Sequence, residues 1–360
     1  MPASATPFSS RPKHFLELDG LRGIAALSVA LFHQRAWFGG DTFFGHGYLA
    51  VDFFFMLSGF VLAYAYEERL RQPGAFWPYV RDRIVRLYPM LAMGALVGAV
   101  AVSTGPDKVA RSAADLGALT LLNGLALPAL WLALPFPING AVWSLFFEII
   151  ANLGFGLVGP YLSDRRLRIF IVASALCMLT LNHHYHMFGF GWARDTMPAG
   201  LVRVSVSFAI GVALCDLHGR GILADGGRRW WVAPVLVATF ASLRLSSSLS
   251  VVYDPLVVFL VYPVLILAGA GSAELMPRFA RLMGDISYPF YLLHVPAFSL
   301  LQLGVIKAGL TITPGLVLLN FVLTVAATWL VLTIYDKPVR SALRARIGSR
   351  SHRSETAQQA

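Results

Sequence analysis

Two residues able to do chemistry share one apolar stretch. Residues 18–34, "LDGLRGIAALSVALFHQ", carry Arg22 near one end and His33 near the other. They are eleven positions apart, so at about 100° per residue they fall roughly 20° past three full turns. A helix here puts both side chains on one face, about 16 Å apart along the axis. An arginine offers a fixed cation with a forked donor set. A histidine offers a base that titrates near neutral pH. Each ionisable group inside a bilayer costs roughly 2.5–3.5 kcal/mol on insertion scales, so two on one face predict a polar channel within a bundle. The competing readings are snorkelling of Arg22 to the headgroups and an interfacial hydrogen bond for His33.

The elements that must position this pair are membrane helices. The chain has 360 residues, 57% hydrophobic and only 13% charged, where soluble domains carry about a quarter charged residues. The expected fold is all-α, a polytopic bundle of about ten transmembrane helices. Apolar runs fall at about 16–36, 47–66, 87–104, 140–160, 168–183, 199–217, 230–247, 251–270, 284–305 and 314–335. An eleventh candidate at about 115–134 is broken by prolines and glycines, so 105–139 is expected to be a partly re-entrant outer segment. Charge supports that choice. With ten crossings and a cytoplasmic N-terminus, the clusters at 69–86, 165–168, 220–229, 278–281 and 337–353 all face inward, as the positive-inside rule requires. The net charge of +10 is thus an orientation signal rather than a nucleic-acid footprint. Both termini are expected in the cytoplasm: a flexible N-terminus over 1–15 and a flexible basic tail over 341–360. No removable signal peptide is expected.

Six segments in order then resemble one family. "LDGLRGIAALSVALFH" resembles the first helix of the acyltransferase 3 family, which carries Arg, ten residues, then His. "GYLAVDFFFMLSGFVLAY" is similar to its second helix and "RIVRLYP" to its Arg-x-x-Arg-x-x-Pro element. "VWSLFFEIIAN" matches Trp-Ser-Leu…Glu, "GDISYPFYLLHVP" matches Ser-Tyr…Tyr-Leu…His, and "YDKPVR" matches the closing Glu-x-Pro. The chain departs at Asp336, where the family usually has Glu, and at Asn152, where many members have Tyr. The resemblance implies an acyltransferase 3 transmembrane domain over 16–340. It also implies transfer of an acyl group, acetyl as the expected case, from acyl-coenzyme A to a hydroxyl, mostly on sugars.

The residues can be read in those terms. Coenzyme A is a polyanion, and Arg83 and Arg86 are i, i+3 neighbours at the cytoplasmic start of the third span, suited with Arg22 to hold phosphates. Its thioester arm then reaches along the first helix to His33, the expected general base for the acceptor hydroxyl. A carboxylate fixes the imidazole tautomer. Asp52 is assigned that role, with Glu148 the more deeply placed alternative. Asn152, one turn on from Glu148, shares its face. Trp143 and Ser144 are expected to bind the sugar, as are Tyr288, Tyr291 and His294, which form an i, i+3, i+6 stripe. Arg203 reads as a snorkelling residue.

Nothing signals a covalent nucleophile, so direct transfer is expected. Cys177 and Cys215 read as buried apolar groups. His183, His184 and His186 are too loosely spaced for a metal, and no metal is expected. The expected partners are acyl-coenzyme A, membrane lipid and a surface-polysaccharide sugar or lipid-linked glycan precursor, at a bacterial inner membrane. The rival readings are a transporter of an anionic or glycolipid solute, and a passive subunit of a polysaccharide synthase. The sequence is silent on oligomeric state.

Overall fold

The computed structural model describes residues 14–34, 44–105, 110, 112–242 and 245–358, the side chains of 247 and 348–358 excepted. Among these residues every regular element is helical. The order is α1 (Leu16–Gln34), a short 3₁₀ turn (Gly47–Leu49), α2 (Ala50–Leu70), α3 (Phe76–Thr104), α4 (Ala113–Gly124), α5 (Val142–Val158), α6 (Asp164–Tyr185) and α7 (Met197–Gly219). Then come α8 (Val232–Ala241), α9 (Ser247–Leu256), α10 (Tyr262–Ala270), α11 (Pro277–Lys307), α12 (Pro314–Val331) and α13 (Lys337–Gln358). Single π-turns at Val257–Val261 and Leu332–Asp336 carry α9 into α10 and α12 into α13.

Each of the ten expected runs contains a helix, but among the described residues eight helices are long and apolar enough to cross a membrane. α8 falls short at 10 residues. α1 has 19 residues but carries Glu17, Asp19 and Arg22. Boundaries also differ. α3 starts at Phe76, well before the expected 87, because its first turns carry Arg81, Arg83 and Arg86 and so escape a hydropathy reading. Within the expected outer segment, α4 is a 12-residue helix capped by Ser112, whose side chain accepts the Asp115 N–H. Residues 106–109 and 111 of that segment, and 1–13 of the expected N-terminal tail, lie outside the described residues. The tail expected from 341 is part of α13.

α1 is an interior helix. Leu18, Leu21, Ala25, Ala26, Val29 and Ala30 are all buried, which fits a helix enclosed by others rather than bathed in lipid. Its closest neighbour is α11, and small residues set that approach: a Cβ at Gly23 would run into Met283. α2 and α7 touch in the same way, with Gly211 against the Met56 carbonyl. Bilayers supply little hydrophobic force between helices, so such small-residue seams carry much of the packing. Pro296 inside α11 leaves the Leu292 carbonyl without its intrahelical donor. Asn139 fills the gap, its Nδ2 donating at 2.7 Å. The same Asn139 accepts from the Ala141 N–H at 3.2 Å, so it fixes the start of α5 against α11.

Candidate functional site

Two cavities meet inside this bundle. The first holds the arginines. Arg22 reaches from α1 to α11, its Nε donating to Ser287 Oγ at 2.9 Å and its Nη2 to the Gly284 carbonyl at 3.0 Å. Asp19, one turn back, pairs with the same nitrogen at 2.9 Å. Arg22 therefore points into the bundle instead of snorkelling. Arg83 and Arg86 on α3 line the same cavity of about 100 Å³, as do Glu148, Ser58 and Tyr288. Glu148 accepts from Ser58 Oγ at 3.0 Å. Three guanidiniums against Glu148 and the Asp19 paired to Arg22 still leave the cavity cationic, a setting for phosphate or another anion. The buried Nε of Arg83 has no hydrogen-bond partner among the described residues.

The second cavity, about 620 Å³, holds His33 with Gln34, Trp143, Trp192, Gln302 and Asn320. Aromatic faces and side-chain amides suit a polyhydroxylated ring. His33 is oriented here by His294. The two rings lie nearly parallel, at 13°, and meet edge to edge with centroids 5.0 Å apart and His33 Nδ1 2.8 Å from His294 Nε2. His294 Nδ1 lies 2.7 Å from the Tyr291 carbonyl, which can only accept, so that nitrogen carries the proton. Nε2 of His294 is then the acceptor, His33 donates from Nδ1, and His33 Nε2 carries the lone pair. The tautomer follows from the hydrogen-bond chain.

Four assignments are corrected. Asp52 does not orient His33. It is fully buried and accepts from Arg203 through Nε at 3.0 Å and Nη2 at 2.6 Å, and from Ser207 Oγ at 3.3 Å. Glu148 belongs to the arginine cavity. His294, read as a substrate contact, is fully buried and acts as the partner ring. Arg203, read as snorkelling, is buried and also donates to the carbonyls of Tyr48 at 2.7 Å and Phe190 at 3.1 Å. Its guanidinium sits 5.6 Å from the Trp143 ring. Breaking such a buried pair strands a charge, so Asp52 is what permits Arg203 to brace this wall. Asp254, which sequence reasoning missed, accepts from the Tyr48 hydroxyl at 2.9 Å and the Phe188 N–H at 2.7 Å. The partners lie 151 and 206 positions apart, so no local pattern betrays them.

The remaining candidates divide. Trp143 lines the histidine cavity. Ser144 lines the arginine cavity and bonds the Tyr291 hydroxyl at 2.6 Å. Tyr288 donates to the Leu87 carbonyl at 2.7 Å. Asn152 is buried beside Tyr79, whose hydroxyl donates to its carbonyl at 2.9 Å, and it lines neither cavity. Tyr291 and Val51 border both cavities. The sequence reading requires one tunnel past Arg22 and His33. The structure instead has two chambers that share Tyr291 and Val51 as wall residues.

A family model described as an acyltransferase domain matches residues 15–335. "Protein 2 in picA locus" of Rhizobium radiobacter is 35% identical over 190 residues, 47% of this chain and 95% of that protein. "Exopolysaccharide production protein ExoZ" of Rhizobium meliloti (strain 1021) is 26% identical over 309 residues, 83% of this chain and 90% of that protein. No solved structure matches the chain.

Proposed function

The chain belongs to the acyltransferase 3 family of membrane proteins, and on that premise we propose that it moves an acyl group, acetyl as the first candidate, from acyl-coenzyme A to a sugar hydroxyl. The acceptor class, a surface polysaccharide or its lipid-linked precursor, is suggested by the relative named for exopolysaccharide production. The arginine cavity faces the cytosol in this reading and takes the donor's phosphates at Arg83 and Arg86. The acceptor occupies the histidine cavity against Trp143.

His33 Nε2 removes the proton of the acceptor hydroxyl as that oxygen attacks the thioester carbonyl. The carbon–oxygen bond forms, the carbon–sulfur bond breaks, and the departing thiolate recovers the proton from the imidazolium. The donor contributes only the acyl group; no covalent enzyme intermediate enters. The observation that carries the reading is the His33–His294–Tyr291 carbonyl chain, which leaves a lone pair on His33 Nε2 in a cavity that borders the cationic chamber. The two-chamber arrangement adds a requirement absent from a one-tunnel scheme: in this reading the donor arm has to pass the shared wall at Tyr291 and Val51 to reach His33.

Mass spectrometry of surface glycans tests the reading. A deletion strain should lose one acetyl per modified unit, restored by the wild-type gene and not by His33→Ala. Unchanged glycan acylation in the deletion strain would refute it. The partition also gives a carrier of an anionic or glycolipid solute something to use as a gate. Solute uptake by liposomes containing the protein but no acyl donor would favour that rival.

A further inference from the structure

A third cavity, about 300 Å³, lies in the turn between α2 and α3, walled by Tyr66, Arg69, Gln72, Gly74, Pro78 and Tyr79. Of these residues only Arg69 carries an expectation from the sequence, as part of the inward-facing basic cluster at 69–86. The turn is built rather than incidental. Gly74 has φ +79, the left-handed region, and a Cβ there would meet nothing, so glycine serves the turn and not a packing contact. Tyr79 is 1% exposed and held through its hydroxyl. Its ring meets Tyr66 edge-on, 5.0 Å between centroids at 72°. The guanidiniums of Arg69 and Arg83 each lie 5.3 Å from the Tyr66 ring.

This cavity lies on the same α2–α3 hairpin as the arginine chamber, about one helical turn further toward the connection. On α2, Ser58 and Leu62 line the chamber, and Tyr66 and Arg69 line the turn cavity at the same helical spacing. On α3, Pro78 and Tyr79 line the turn cavity, and Arg83 and Arg86 line the chamber. Arg83 stands at the join, stacked on Tyr66 on one side and exposed to the chamber on the other, with its buried Nε unpartnered. Tyrosine rings and guanidinium planes grip flat heteroaromatic groups by stacking, and the Gln72 amide at the rim can read such a group's polar edge. A phosphate beside Arg83 would be joined to whatever occupies the turn.

We propose that the turn cavity holds the purine base of the acyl donor, with the donor's phosphates at Arg83 and Arg86. The inference rests on the donor reading above. The test is equilibrium binding to the full-length purified protein. Three probes are compared: acetyl-coenzyme A, adenosine 3′,5′-bisphosphate, which has the base but no acyl arm, and acetyl-4′-phosphopantetheine, which has the arm but no base. Gln72 is exposed, so Gln72→Trp fills the cavity without removing a buried contact. It should weaken acetyl-coenzyme A and adenosine bisphosphate about tenfold, the order of one lost base stack, and leave acetyl-phosphopantetheine unchanged. Tyr66→Ala should do the same.

If Gln72→Trp leaves adenosine bisphosphate untouched, or weakens all three probes alike, the base subsite is wrong while the donor reading stands. If the wild type binds adenosine bisphosphate in a Gln72-dependent way but not acetyl-coenzyme A, the subsite stands and the donor reading falls. If it binds none of the three, both fall.

Discussion

Replacing His294 by Phe removes the acceptor for the His33 proton while keeping a ring of similar shape. Phe290 and Phe298 pack against that ring at 6.0 and 5.8 Å between centroids, and a phenyl group suits them. What disappears is the 2.8 Å hydrogen bond to His33 and the 2.7 Å bond that fixes the His294 tautomer. Each is worth about 1 kcal/mol net. Without them His33 divides its time between tautomers and ring orientations, and only part of the population offers Nε2 to the acceptor. A loss of about 1–2 kcal/mol corresponds to a roughly five- to thirtyfold slower transfer. The assay is the initial rate of radiolabelled acetyl transfer from acetyl-coenzyme A in membrane vesicles, at matched protein content. The loss should fall on the rate at saturating donor, with the KM for donor unchanged, because His294 touches neither the donor's arginines nor their cavity. His294→Gln, whose side-chain carbonyl can accept the same proton, should recover much of the rate. Full activity in His294→Phe, or a loss confined to KM, would refute the orienting role.

Three further outcomes follow. Asp52→Ala strands the Arg203 guanidinium and should destabilise the purified protein by about 3–5 kcal/mol, while Asp52→Ala with Arg203→Leu should recover most of that in thermal unfolding. Gly211→Val drives a side chain into the Met56 carbonyl and should abolish folded protein in detergent extracts, where Gly219→Val, open on all sides, should not. Tyr291→Trp thickens the wall between the chambers and should stop acetyl transfer while acetyl-coenzyme A still binds; transfer at the wild-type rate would show that the donor takes another route.

Much of the fold was legible in the residues. Each of the ten apolar runs holds a helix, among the described residues eight of them long and apolar enough to span a membrane, and Arg22 and His33 both lie on α1, each lining a different cavity. The helix ends were less visible. α3 begins in a polar turn rich in arginine, so hydropathy alone starts it too late. α1 is charged enough to fall below the apolarity of a spanning helix, because protein and not lipid surrounds it. The site was legible as a set of residue types but not as pairs. His33 and His294 are 261 positions apart, and Asp52 and Arg203 are 151 apart. Two imidazoles and a carboxylate–guanidinium pair were all present as candidates, yet nothing local says which histidine meets which acceptor. Helix packing decides that, through contacts such as Gly23 on Met283 and Asn139 on the carbonyl that Pro296 leaves open.

The central claim is that His33 is the base for acyl transfer in a chamber next to the donor's arginines. The direct measurement is acetyl transfer from acetyl-coenzyme A in membranes bearing His33→Ala, with donor binding measured on the same sample. Loss of transfer by at least about a hundredfold with donor binding intact is the predicted result. Transfer at the wild-type rate would contradict it.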